Sequence, residues 1–253
     1  MKIVILAGPD QSSTILYNAL KEKYEVVGVI MEEKENRMKF LKRRMKKLGL
    51  VTVVGQVLFQ LVIVKLLDAF SRKRKEAIIA QNKFSLIPID RSVLTEVDSV
   101  NNEAAIDELK NLQPNLVVVN GTRIISKKVL NSVNCKFINS HAGITPAYRG
   151  VHGAYWALAN NDAANVGVTI HFIDAGIDTG QVIYQKRTAI TGADSFVTYP
   201  MLQLADSIEL LIKVIDDIFN NRVIIKPNNS ASHLWSHPTI WGYLYGRVIK
   251  KIK

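Results

Sequence analysis

The strongest constraint on the fold of this chain is a succession of short, largely apolar segments that read as strands. They lie at residues 2–7, 25–31, 116–119, 137–140, 168–173 and 182–184, with segments of helical period between several of them. Strands that are apolar on both faces and alternate with helices have both faces buried. The pattern therefore predicts an α/β fold, a largely parallel sheet covered on either side by helices. The first run ends at Gly8-Pro9, and Ser12 or Ser13 is placed to cap a helix carrying Ile15, Leu16 and Leu20. A further helix is expected around Ala104, Ala105, Leu109 and Leu112, others over 154–159 and from 197 to about 219, and a strand at Leu86-Ile87-Pro88-Ile89. With 253 residues, 48% of them hydrophobic, the chain can fill one substantial core. Its single cysteine, Cys135, excludes an internal disulfide, and the start MKIVILAG lacks the form of a secretory signal, so a cytoplasmic setting is expected.

In open sheets of this kind ligands bind beyond the carboxyl ends of the strands. The first such turn, GPDQSS, lacks the glycine spacing of a dinucleotide fingerprint. The sequence also has no phosphate-binding G-x-x-x-x-G-K-[ST], no G-x-S-x-G elbow, no H-E-x-x-H and no paired C-x-x-C. It does hold a dense polar patch from Asn139 to Gly150 directly after an apolar run, and a second polar turn, Asp174 to Gly180, after another. On a strand, Asn139 and His141 at i and i+2 share a side. An amide, an imidazole and the carboxylate of Asp178 meeting in a crevice suit acyl transfer, with donors for a developing oxyanion and an acid to tune the histidine. The same residues also serve as turn formers around a half-buried histidine, and the pattern alone leaves both readings open.

Asn139-x-His141, the loop Thr145-Pro146-Ala147-Tyr148-Arg149-Gly150, then Gly167-Val168-Thr169 and Asp178-Thr179-Gly180 together resemble the formyltransferases that use N10-formyltetrahydrofolate. The segment from Asn120 to Leu130 looks like the family stretch whose backbone meets the pterin ring. The resemblance covers roughly residues 1–31 and 84–217. It implies a three-layer, Rossmann-like formyltransferase fold, with a catalytic domain over 1–217 interrupted by a basic helical insertion at 33–83, and a C-terminal aromatic and basic tail over 218–253. It implies that an uncharged primary amine attacks the formyl carbon, that Asn139 and His141 stabilise the oxyanion, and that Asp178 orients His141 or raises its pKa and helps move the proton. Arg123, Ile124 and Ile125 match one folate-contacting loop, and Ile173, Asp174 and Ile177 the other. No metal is required. Ser140 and Thr179 read as turn residues. His152 either faces the acceptor or caps a helix, and His171 reads as a packed strand residue.

The resemblance names the family more firmly than the acceptor. The segment after residue 217 is shorter than the extra domain of methionyl-tRNA formyltransferases, and the chain begins directly with catalytic-domain sequence, unlike formyltetrahydrofolate hydrolases. The Pro9-Asp10 turn departs from the phosphate loop of glycinamide ribonucleotide enzymes. The expected acceptor is therefore a nucleotide-linked amino sugar used in surface polysaccharide. Another small amine is the alternative, as is a membrane-docked, non-catalytic binding protein on the same fold.

The net charge of +11 locates the remaining feature. Between residues 33 and 75 thirteen Lys or Arg face three acids, so nearly all of the excess sits in the insertion. There Met38, Leu41, Met45 and Leu48 form an apolar stripe, residues 49–64 carry no charge, and Thr52, Gln56 and Gln60 recur every four residues. Sixteen uncharged residues fall short of the roughly twenty needed to span a bilayer. A peripheral contact of residues 33–75 with the inner face of an anionic membrane is expected, the alternatives being a cover over the core or a homodimer contact. Nucleic acid is not expected, because aromatics are sparse and no reader motif occurs. In the tail, Trp241, Leu244 and Val248 at i, i+3 and i+7 predict a last helix packed on the core. Asn228-Asn229-Ser230 matches a glycosylation sequon and is read as inert.

Overall fold

The computed structural model describes residues 1–225 and 231–252; the 228–230 sequon lies outside them. Along the chain run β1 (Lys2–Ala7), α1 (Gln11–Lys21) and β2 (Glu25–Glu32), then the insertion with α2 (Arg37–Leu48), α3 (Leu50–Leu58), a π-helical turn (Phe59–Val64), α4 (Lys65–Phe70) and α5 (Arg72–Gln81). The body resumes with β3 (Leu94–Val97), α6 (Glu103–Leu112), β4 (Leu116–Asn120), α7 (Lys127–Leu130), β5 (Lys136–His141), β6 (Arg149–Gly150) and α8 (Gly153–Ala159). It closes with β7 (Gly167–Phe172), β8 (Val182–Arg187), α9 (Tyr199–Phe219), β9 (Leu234–Trp235) and α10 (Ile240–Ile249).

Seven strands form one sheet in the order β3-β2-β1-β4-β5-β7-β8. The first five pair in parallel, and β7 runs antiparallel to both β5 and β8. Alternate residues of β1 divide between the two faces. Ile3, Ile5 and Ala7 join Leu16, Leu20, Leu211, Val214 and Ile215 from α1 and α9. Val4 and Leu6 join Ala105, Ile106, Leu109 and Val129 from α6 and α7. This is the expected three-layer α/β fold, and it explains why the central runs are apolar at every position. The chain leaves β1 toward opposite edges through β2 and β4, so a crevice opens past their ends, at Gly8 and Gly121. A Cβ on Gly8 would lie 2.2 Å from the Gly121 carbonyl oxygen, so only glycine lets these two turns touch.

Three local expectations differ. Residues 86–89 form no strand. Pro88 has no N–H for a ladder, and Asn18 instead holds the segment by donating from Nδ2 to the carbonyls of Ser85 (3.3 Å) and Ile87 (2.7 Å). The strand beside β2 is β3, whose residues are less apolar. Neither serine caps α1: its N-cap is Asp10, and Ser13 Oγ donates to the Gly8 carbonyl at 2.8 Å. In α10 the buried positions are Tyr243 and Gly246, while Trp241, Leu244 and Val248 are exposed, so the stripe expected to pack inward faces out.

Candidate active site

The end of β5 delivers Asn139 and His141 to the crevice, and the 174–180 turn after β7 returns Asp178 beside them. His141 Nδ1 lies 3.4 Å from Asp178 Oδ2, and Asn139 Nδ2 lies 3.5 Å from Asp178 Oδ1. The carboxylate is fixed from several sides. Gly150 N–H donates to Oδ2 at 2.9 Å, and Arg149 Nη1 donates to the Ile177 carbonyl at 3.0 Å. Asp174 Oδ1 accepts from Gly176 N–H and from Thr179 Oγ1, which ties the turn to itself and gives Thr179 the local role expected of it. Gly180 is required by space, since a Cβ there would stand 1.6 Å from the Phe172 carbonyl oxygen.

The tautomer of His141 follows from its partners. Its Nε2 is 2.7 Å from the Tyr148 carbonyl, which only accepts, so Nε2 carries a hydrogen and Nδ1 faces Asp178. Burial pushes the His141 pKa below its ordinary value, and the charges of His171 and Arg149 push the same way. Asp178 and the Tyr148 carbonyl pull upward without reversing this. The expectation that Asp178 raises the pKa of His141 is thus right in sign for that one interaction and outweighed in the net. Burial is likewise the largest influence on Asp178 and acts upward. His171, the charge of His141 and the Gly150 N–H together hold the carboxylate below its usual range. Asp178 is therefore a carboxylate at neutral pH, beside an imidazole that burial makes hard to charge even next to it.

His171, expected to be a packed strand residue, belongs to this cluster. Its Nδ1 donates to the Phe172 carbonyl at 2.8 Å, while Nε2 stands 3.2 Å from Asn139 Nδ2 and 3.7 Å from Asp178 Oδ1. With Nδ1 donating to Phe172, Nε2 is the ring atom turned to the Asn139 amide. His152 does not line the active-site cavity; it takes the N-cap position of α8, but its side chain makes no capping bond, its Nε2 instead lying 2.9 Å from His237 Nδ1 and its ring packing at a tilt against Phe196.

The cluster lies at the wall of a cavity of about 1160 Å³. All six residues matched to folate contacts, Arg123, Ile124, Ile125, Ile173, Asp174 and Ile177, line it. The 121–125 loop is held by the buried carboxylate of Glu32, which accepts from the Arg123 N–H at 2.6 Å and from the Val100 N–H at 3.2 Å. Sequence reading passed over Glu32, which ends an otherwise apolar run. Another wall comes from the insertion, with Phe40, Arg43, Arg44 and Lys47 of α2 lining the same cavity. Arg43 is neutralised by a two-pronged pair with Glu35, at 2.6 and 2.9 Å. Arg44 rests on the neutral Gln56 at 2.7 Å, and burial and the neighbouring Arg43 depress its pKa.

Comparison with known proteins concerns the family and the fold. Methionyl-tRNA formyltransferase of Clostridioides difficile is 29% identical over 188 residues, which are 74% of this chain and 49% of that protein. The Halothermothrix orenii enzyme of the same name is 36% identical over 124 residues, 49% of this chain and 39% of its own. The chain thus spans half or less of the length of these relatives. An N-formyltransferase from Helicobacter canadensis, solved with folinic acid and dTDP-3-aminofucose, shares the fold with a TM-score of 0.55 at 20% identity, over 93% of this chain and 71% of that one. Glycinamide ribonucleotide transformylase 1 from Symbiobacterium toebii gives 0.57 at 18% identity, over 89% and 91%. A family model described as formyl transferase matches residues 1–215, a span that contains every residue of the Asn139, His141 and Asp178 cluster and both loops beside it, and the chain belongs to that family.

Proposed function

We propose that this chain transfers a formyl group from N10-formyltetrahydrofolate to the primary amine of a small anionic acceptor, a nucleotide-linked amino sugar. The observation that carries the reading is the convergence of Asn139, His141 and Asp178 on one wall of a cavity whose lining includes two chemically different sets of residues, its apolar and its basic arm. One arm suits the donor. Val119, Ile124, Ile125, Ile173 and Ile177 give apolar walls, and the backbone of residues 121–125, in neither helix nor strand, offers donors and acceptors to the edge of a flat heterocycle. When bound, the folate supplies the formyl group, and its nitrogen is the leaving group.

The residues of the chain do the rest. Asn139 Nδ2 donates to the formyl oxygen as charge develops on it, a contact worth about 3 kcal/mol in comparable sites. His141, anchored through Nε2–H on Tyr148, faces Asp178 with Nδ1, so the proton that Asp178 takes from the amine can be shared with the imidazole while negative charge sits on the formyl oxygen. Asp178, held ionised, accepts the proton released by the attacking amine and passes it toward the departing nitrogen. His171 positions the Asn139 amide so that its nitrogen, and not its oxygen, faces the site.

The other arm supports an anionic acceptor. Arg44 and Lys47 of α2 are cations in the cavity without an acidic partner among the described residues, and a diphosphate would neutralise both. The nucleotide sugar bound by the Helicobacter canadensis enzyme gives the class its example. The test is a formyl-transfer assay with nucleotide-linked amino sugars, glycinamide ribonucleotide and methionyl-tRNA offered in parallel. Formylation of an amino sugar is expected, and turnover of methionyl-tRNA alone would reverse the acceptor assignment. Asn139→Ala, His141→Ala and Asp178→Ala are each expected to lower kcat about 10²- to 10³-fold.

A further inference from the structure

The insertion carries apolar residues on its outer side as well as its inner one. Along α3, the π-helical turn and α4, the exposed residues Val51, Val54, Leu58, Val62, Leu66 and Phe70 recur every three or four positions and make one continuous apolar stripe. Phe70 is 86% and Val51 72% exposed. The uncharged residues Gln56 and Gln60 of the same segment face the protein, beside the buried Val53 and Phe59. Gln56 is buried and donates from Nε2 to the His237 carbonyl at 2.6 Å, and Gln60 lies 3.3 Å from His237 Nδ1. A soluble surface helix keeps its apolar residues toward the core, whereas this segment exposes a second apolar stripe in addition to the one packed inward.

A second exposed stripe adjoins the first. The Trp241 ring of α10 sits on Gly55 so closely that a Cβ there would lie 2.3 Å from it, and beyond Trp241 the residues Leu244, Tyr245, Val248 and Ile249 are exposed. The joined face is rimmed by cations. Lys46 and Lys47 precede it, Lys65 interrupts it, Arg72 and Lys73 follow it, and Arg247 and Lys251 flank the α10 side, all of them exposed.

We infer that this face docks the protein on an anionic membrane, with Leu50–Phe70 and α10 lying in the plane of the interface. Charge selects this occupant: two copies meeting on the same face would bring two basic rims together, whereas anionic headgroups neutralise the rim while acyl chains cover the stripe. Leu50–Phe70 is long and apolar enough to cross a bilayer, longer than its uncharged stretch alone indicates. Crossing would strip its inner side from the body. Phe59 is fully buried against Phe196 and Tyr243, and the Gln56 bonds would be lost in hydrocarbon.

Co-sedimentation of the full chain with vesicles of phosphatidylcholine alone or with 30% phosphatidylglycerol tests the inference. At least tenfold more protein should pellet with the anionic vesicles, and 0.5 M NaCl should release most of it. Val54→Asp combined with Leu58→Asp, both at exposed positions, should abolish binding with an unchanged circular dichroism spectrum. Lys46→Gln with Lys65→Gln and Lys73→Gln should weaken it at least tenfold. Brominated lipid should quench Trp241 emission, a signal that Trp241→Phe removes. Equal sedimentation with and without anionic lipid, or undiminished binding of the aspartate variant, would overturn the inference. So would retention in the membrane at pH 11, which marks a spanning helix, or a dimer in light scattering that the aspartate pair dissolves while vesicles go unbound.

Discussion

Gly143 decides how closely His141 can approach its anchor. A Cβ at that position would stand 2.4 Å from the Tyr148 carbonyl oxygen and 2.8 Å from His141 Nε2, inside the space that their hydrogen bond occupies. Gly143→Ala should therefore displace the ring and cost more than tenfold in kcat, with less effect on KM for the folate; steady-state kinetics on both substrates checks it. Arg44 belongs to the other arm. Arg44→Gln should raise KM for a phosphate-bearing acceptor about tenfold and leave KM for the folate unchanged. At this scale the sequence was informative where residue type and spacing suffice. Asn139 and His141 share a strand side by alternation, and the polar turn supplies Asp178. His171 was not legible, because its role depends on the antiparallel register that sets it directly across from Asn139. A histidine inside an apolar run carries no mark of what lies across the ladder.

Among the elements, α5 is tied to the body by the fully buried Ile78 and by an ion pair to a buried carboxylate. Arg74 grips Asp194 with Nε at 2.7 Å and Nη2 at 3.2 Å, and the Asp194 side chain is fully buried. Burial alone would push the Asp194 pKa upward, but Arg74 and Thr191 hold it below its usual range. Removing one member of such a pair leaves an uncompensated charge. Arg74→Met is expected to cost about 3 kcal/mol, read as a lower midpoint in urea unfolding, since Thr191 still donates to the carboxylate. The insertion also shows where periodicity stops being informative. Gln56 and Gln60 recur as a stripe in the sequence, as do Trp241, Leu244 and Val248, but a stripe does not say which side of a helix the protein takes. The inward glutamines and outward valines are set by His237, Phe196 and Tyr243, which lie far along the chain.

For the whole molecule, the buried pair His152 and His237 sets a pH dependence. Burial first, then the neighbouring charge of His237, lowers His152 to about 3; burial first, then Arg44, lowers His237 to about 4. Unfolded, both titrate near 6.5, so below that pH the unfolded chain binds protons that the folded chain refuses. Stability is full above about pH 6.5 and falls as pH drops toward the folded values, by up to about 1.4 kcal/mol per pH unit for each ring. Thermal unfolding between pH 4 and 8 should show a plateau in Tm at the upper end and a decline below about 6.5 that His237→Gln makes shallower.

The three-layer class, most of the succession of strands and helices and the family motifs were set by the sequence alone, because alternation, helical period and residue spacing are local and survive without knowledge of the partner. The tertiary structure decided what depends on facing surfaces. It placed β3 rather than residues 86–89 beside β2, brought His171 to Asn139, made α2 a wall of the active-site cavity, and turned an apolar stripe of the insertion outward. Each of these is a contact between segments distant in the chain, and its energy depends on which surfaces meet. The excess charge, a property of the whole composition at first sight, thereby resolves into a basic arm of the cavity and the rim of an exposed apolar face.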